Sequence, residues 1–184
     1  ESGMKDMADP SSFLMPTGRQ PQAGSAIVAS LEGRRPLLVE LQALTIPTAY
    51  GLPRRVSTGI DANRLALLLA VLERRGGIET GKDDVYLNSA GGLRLKETAV
   101  DLGVIAAVAS AARNRALPPD LFFCGEVGLG GEVRPVGRIE ARLKEAATLG
   151  FTRAVVPKQK IENACGLELA PTAEIKEMLC RLLA

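Results

Sequence analysis

The chain has 184 residues, 46% apolar and 24% charged, with a formal net charge of +2, which supports one sizeable core plus tails and carries no global charge signal for nucleic acid. It contains no histidine, which removes Ser-His-Asp and Cys-His catalysis and the commonest transition-metal ligand. Three cysteines, Cys124, Cys165 and Cys180, lie far apart without paired C-x-x-C spacing, so reduced, mostly buried thiols are expected rather than a zinc ribbon or a disulfide framework.

No apolar run approaches a membrane span, and the N-terminus lacks the basic-then-apolar layout of a signal peptide, so a cytoplasmic location with no membrane partner is expected. Residues 1–24 are rich in Pro, Gly, Ser and Met without a sustained period and read as a linker or docking tail. A chain opening on Glu1 reads as part of something longer. The Phe13-Leu14-Met15 triplet could pack on the domain or on a neighbour.

Order is expected from Ser25, making 25–184 one domain. Ser25–Leu31 and Pro36–Thr45 read as a hairpin around Glu32-Gly33,. A Pro- and Gly-punctuated loop follows, then Asp61 caps a helix running through Leu65, Leu68, Leu69 and Leu72 to Gly76-Gly77,. Val85–Asn88 is a short strand. Ala99–Arg113 is nearly all small or apolar, which predicts a helix buried on most of its circumference. Leu121–Cys124 is a buried strand leading into the glycine-rich hairpin Gly125–Gly131. A helix over Arg138–Leu149, a strand at Ala154–Val156 and an amphipathic helix over Thr172–Leu183 complete the order. Strands and helices alternate without strict βαβ regularity, which predicts a mixed-sheet α/β (mixed α+β) domain.

Two glycine runs imitate nucleotide loops. Gly76–Lys82 has P-loop spacing until Asp83 replaces the Ser or Thr, and it follows a helix and precedes a strand, the reverse of the context phosphate binding needs. Gly125–Gly131 lacks the G-x-G-x-x-G order and a helix directly after it, so hairpin geometry explains its glycines.

The stretch Gly125–Ala147, GEVGLGGEVRPVGRIEARLKEAA, resembles the hairpin and helix that carry the catalytic lysine in Lon-type proteases. The lysine position reads Glu140, and a carboxylate cannot replace the amine that takes a nucleophile's proton in a serine–lysine dyad. In the same register the nucleophile position falls on Thr98. A rewired peptidase pairing Thr98 with Lys96 or Lys144 stays open, against the plainer reading that Thr98 begins a helix and both lysines are solvated. Across Ser25–Lys158 the sequence resembles more closely the C-terminal Lon-protease-like domain of the RadA (Sms) family of bacterial DNA-repair proteins. The stretches carrying this are Ser30–Glu40, Pro53-Arg54-Arg55, Gly59–Arg64, Ala90–Leu95 and the glycine hairpin with its Arg138–Arg142 helix. Pro10–Leu14 also resembles that family's linker to a RecA-like ATPase core.

The resemblance implies a catalytically inactive module of a larger DNA-dependent ATPase that acts on recombination intermediates. Its implied roles are a scaffold for a homo-oligomeric ring, hexameric by family, and a contact surface for single-stranded or branched DNA, with a recombinase as a further partner. ATP, Mg and Zn are then expected only in upstream domains, with no cofactor or metal in this chain. The arginines fit a DNA surface. Arg34, Arg35, Arg54 and Arg55 are expected in loops, Arg94 on the turn beside Thr98, and Arg134 and Arg138 after the hairpin, where guanidinium groups could form a basic lip for phosphate. Arg94 and Arg134 are the favoured contacts because their loop positions suggest freedom from local partners. Arg142 reads as an ordinary helix-surface residue. A solvated face with internal ion pairs, or a pure oligomerisation scaffold, remains the alternative. Aromatics are 3% with no Trp, so phosphate contact rather than base stacking should dominate.

Overall fold

A computed structural model describes residues 14, 15 and 20–183. The domain is built on a seven-stranded mixed sheet in the order β3-β4-β2-β1-β5-β8-β9. Strands β1 (Ser25–Glu32) and β2 (Arg35–Pro47) form the expected hairpin, with Glu32 opposite Arg35. The turn is therefore Gly33-Arg34, and Gly33 supplies the positive φ of 62° that a two-residue hairpin turn requires,. Arg35 belongs to β2 rather than to a loop.

β2 pairs antiparallel with β4 (Asp83–Ser89), and β4 pairs parallel with β3 (Arg55–Thr58) at the sheet edge. Sequence reading left β3 inside a loop, because four residues are too few to display alternation; Arg55 is accordingly a strand residue. On the other side β1 runs parallel to β5 (Leu121–Phe123), followed by β8 (Arg153–Pro157) and β9 (Glu168–Thr172), also parallel. β9 is a second strand the sequence did not announce. It takes Thr172 from the expected last helix, so α4 spans Ile175–Leu183. The glycine run folds as a separate hairpin of β6 (Glu126–Val127) and β7 (Val133–Arg134).

Helix α1 (Ala62–Val71) is capped as expected: the Asp61 carboxylate accepts from Arg64 N–H at 2.9 Å,. A wider π turn over Leu72–Gly76 extends it to Gly77, which is left-handed. Helix α2 spans Asp101–Ala112, two residues later than expected because Thr98–Val100 make a tighter 3-10 turn. Every residue from Asp101 to Ser110 is buried. Gly103 allows α2 to lie on β1, since a Cβ there would sit 2.0 Å from Val28 Cγ1.

Side chains alternate across the sheet. Val39, Leu41, Val85 and Leu87 join α1, α2 and α4 in the larger core. Ile27, Ala29, Leu38 and Phe122 face α3 (Ile139–Thr148) in the second. Leu14 packs against the first core and Met15 against the second. Phe13 and most of the expected linker lie outside the described residues. Among the described residues no helix is long and apolar enough to cross a membrane.

Candidate functional site

The N-terminal end of α2 faces a cleft of about 840 Å³ lined by residues of β3, α1 and the Gly92–Asp101 segment. The sheet edge supplies Ser57 and Thr58, the cap of α1 supplies Asp61 and Arg64, and the connection into α2 supplies Arg94, Lys96 and Thr98. This is the neighbourhood the Lon-like register assigns to the nucleophile.

Thr98 is exposed, opens the 3-10 turn, and donates its hydroxyl to Glu126 Oε2 at 2.6 Å. Its partner is therefore a carboxylate, and among the described residues no hydrogen bond joins it to Lys96 or Lys144. Glu140 is elsewhere. It stands exposed on the first turn of α3, where its carboxylate accepts from Glu162 N–H at 3.0 Å. It lines a separate cleft of about 460 Å³ with Arg138, Gln159 and Lys160. Thr98 and Glu140 thus line different clefts.

Three buried or half-buried groups that sequence reading did not single out hold the floor of the larger cleft. Asp101 is 1% exposed and pairs with Arg64, accepting also from Val127 N–H at 3.1 Å. Burial pushes the Asp101 carboxyl above its ordinary range, outweighing the hydrogen bonds from Arg64 and Val127. Arg64 is pushed upward in turn, chiefly by its hydrogen bond to Asp101, and also donates to Val127 O at 3.1 Å. Asp101 therefore ties α1, α2 and the glycine hairpin at one point. The signal was present, since a lone carboxylate inside an otherwise apolar helix must find a cation or N–H donors.

The third group is Glu97. Arg142, read from sequence as a helix-surface residue, is 1% exposed and reaches under the sheet to it. The guanidinium donates to Glu97 Oε1 at 2.8 Å, to Ala29 O at 2.6 Å and to Gly137 O at 3.1 Å. Glu97 Oε2 also accepts from Leu31 N–H at 2.6 Å.

Arg94 is exposed at the cleft, with no ion pair among the described residues. Arg134 is corrected: rather than lacking partners, it is held by Glu132 at 2.5 Å and by Glu126 at 3.4 Å. Its pKa is raised, first by the hydrogen bond to Glu132, whose carboxyl is lowered. Arg138 is exposed immediately before α3 with a left-handed φ of 55°. Arg34 and Arg35 lie exposed at the β1–β2 turn. Arg54 is exposed, and Arg55 turns inward onto Thr80 O at 2.9 Å. Of the seven arginines expected to form the basic lip, only Arg94 lines the larger cleft, and Arg138 lines the smaller one. Among the described residues no group of three or more His, Cys, Asp or Glu is placed to hold a metal ion.

Fold and site together define a mixed-sheet α+β domain of Lon-like type, with a glycine hairpin and following helix packed beside a shallow polar cleft. No protein-family model matches the chain. Curated relatives do. A protein of Synechocystis named DNA repair protein RadA is 47% identical over 177 residues, covering 95% of this chain and 35% of the relative. Proteins of the same name from Halalkalibacterium halodurans and Escherichia coli are 48% and 45% identical, covering 95% and 97% of this chain and 38% and 39% of theirs. The chain belongs to the RadA family of DNA repair proteins and spans well under half the length of these relatives.

Proposed function

We propose that this domain is a catalytically silent Lon-like module of a RadA-type repair and recombination ATPase, serving as ring-assembly scaffold and DNA-contact surface in the cytoplasm. The observation that carries the reading is that Thr98 and Glu140 hold different partners and line different clefts, in a chain homologous to DNA repair proteins. The Thr98 hydroxyl is held by Glu126 and the Glu140 carboxylate by Glu162 N–H, with no amine hydrogen-bonded to Thr98 among the described residues, and a threonine needs such a base to attack. Arg94 supports DNA contact: an exposed guanidinium without an ion-pair partner among the described residues is able to take phosphate through two parallel hydrogen bonds,. ATP hydrolysis, with its Mg, and zinc binding belong to the rest of the protein, as does contact with a recombinase.

Ring assembly fits repeated head-to-tail contacts, which close when the rotation per subunit allows. The test uses the full-length protein. Native mass measurement should give closed oligomers, with a hexamer expected, and incubation with unfolded protein should give no cleavage with or without ATP. A strictly monomeric mass across a wide concentration range removes the scaffold role, and cleavage abolished by Thr98→Ala establishes the rewired peptidase instead.

A further inference from the structure

The glycine hairpin holds an anion of its own. In the turn from Gly128 to Glu132, Gly128 N–H donates to Glu132 O and Gly131 N–H to Gly128 O, each at 3.0 Å, so those two amides close the turn. The side chain of Glu132 folds back over it. Arg134 Nε and Nη2 both donate to Glu132 Oε1, at 2.9 Å and 2.5 Å. The carboxyl is held below its usual range, first by hydrogen bonding from its own backbone N–H, then by Arg134, with Gly130 N–H adding to both. Two backbone amides and one guanidinium edge thus converge on a single carboxylate.

The glycines make room for it. The atoms nearest to a Cβ placed on Gly128 would all belong to the Glu132 carboxyl group, in collision with it, and a Cβ on Gly130 would lie 2.7 Å from Glu132 Oε2. Neither glycine has a positive φ, whereas Gly131 does, at 89°. The missing Cβ at 128 and 130 therefore serves the close approach of an anion to the backbone rather than a left-handed turn. Glycine backbone, inward-pointing amides and an arginine are the parts from which proteins build concave phosphate sites. Here the site is filled from within.

The occupant is easily displaced. The Glu132 and Arg134 side chains are 42% and 54% exposed, and a surface ion pair of this kind is worth little, so a stronger acceptor can take the carboxylate's place. A phosphate group is such an acceptor: it presents more oxygens to the same donors, and a guanidinium takes it through two parallel hydrogen bonds. Glu126 is a bystander, since its Oε2 accepts from the Thr98 hydroxyl at 2.6 Å and its Oε1 stands 3.4 Å from Arg134 Nη1. We infer that the turn from Gly128 to Glu132, with Arg134, is a phosphate-binding nest that the Glu132 carboxylate keeps closed as an internal stand-in, opening when a phosphate group displaces it. A phosphate of a DNA strand is one source of the ligand, on the DNA-contact reading proposed above, and a small phosphate is the other. The nest itself does not rest on that reading.

The full-length protein tests it in two arms, DNA and inorganic phosphate. Glu132→Gln removes the charge and keeps the shape. It should tighten binding of a labelled single-stranded oligonucleotide roughly tenfold, the worth of one hydrogen bond to a charged group, and steepen the log–log salt slope by about 0.7 for the added phosphate contact. Inorganic phosphate, replacing chloride at matched ionic strength, should raise the Tm of Glu132→Gln more than that of the parent. Adding Arg134→Gln, at an exposed position, or Gly128→Ala, whose methyl group fills the nest, should cancel either gain. Glu79→Gln, an equal charge change at an exposed site in a different cleft, should give none. A cancelled gain in the DNA arm assigns the nest to a strand phosphate, and one in the phosphate arm alone assigns it to a small phosphate. No gain in either arm, a gain that survives Arg134→Gln, or an equal gain in Glu79→Gln overturns the inference. Failure of the DNA-contact reading would silence the DNA arm and leave the phosphate arm to decide.

Discussion

The Arg142 guanidinium, on the first half of α3, lies 2.8 Å from Glu97 Oε1, immediately ahead of the turn that presents Thr98. One buried cation thus joins α3 to the β1–β2 hairpin, through Ala29 O, and to the segment that carries Thr98. The pair links the elements that carry Glu140 and Thr98.

Arg142→Ala should destabilise the domain by about 3 kcal/mol, because removing one partner of a largely buried pair leaves Glu97 without its cation and Ala29 O without the guanidinium donor. Arg142→Lys should recover only part of this, since an ammonium cannot reproduce the guanidinium fork. Urea denaturation of both variants checks the order. A loss below roughly 0.5 kcal/mol, the range of surface substitutions, would return Arg142 to the helix surface.

Arg94→Glu should weaken DNA binding by the full-length protein broadly across unrelated sequences and reduce the log–log salt slope by about 0.7 to 0.9, the value of one phosphate contact. Arg134→Glu should do less, because its guanidinium is already engaged by Glu132 and Glu126. Titrations at several salt concentrations read both quantities. Unchanged affinity and slope for Arg94→Glu in a correctly assembled protein would leave the domain a scaffold without DNA contact.

Asp120 accepts from Arg153 at 2.9 Å and 2.5 Å and from the Thr152 hydroxyl, tying the start of β5 to the start of β8. The hydrogen bond from Arg153 is the main cause that holds its carboxyl well below the ordinary value of 3.8. A depressed folded pKa adds stability that is present above the ordinary range and lost as pH falls through the folded value. Both side chains are partly exposed, at 35% and 40%, so the effect should stay within about 1 kcal/mol. Asp120→Asn should narrow the stability difference between neutral and acidic pH, measured by denaturant unfolding at each. An equal difference in variant and parent would remove the pair from the acid response.

Cys124 is fully buried, and burial pushes its thiol up to about 12. It should stay unlabelled by thiol reagents at mildly alkaline pH until the protein unfolds, since only the thiolate reacts. Cys165 is half-buried and Cys180 exposed, so native protein should take at most two labels by mass spectrometry. A third native label would show that the β5 end opens.

The mixed α/β class, the β1–β2 hairpin, the Asp61 cap and the glycine hairpin with its helix are legible along the chain, because each is written in local periodicity, turn chemistry or capping. The Lon-like register and the RadA resemblance were legible in the same way, through contiguous motifs. Tertiary structure alone decided β3 and β9, four and five residues long, whose strand state comes from pairing with β4 and β8 rather than from their own pattern. It also decided the charges. Arg134 reads in sequence as a partner-free loop residue and Arg142 as a helix-surface one, yet the first is clasped by surface carboxylates and the second buried beneath the sheet, since a side chain's partners are set by the whole fold. Arg142 meets Glu97 and Ala29 only because α3 folds back across β1, and no local rule reaches that far.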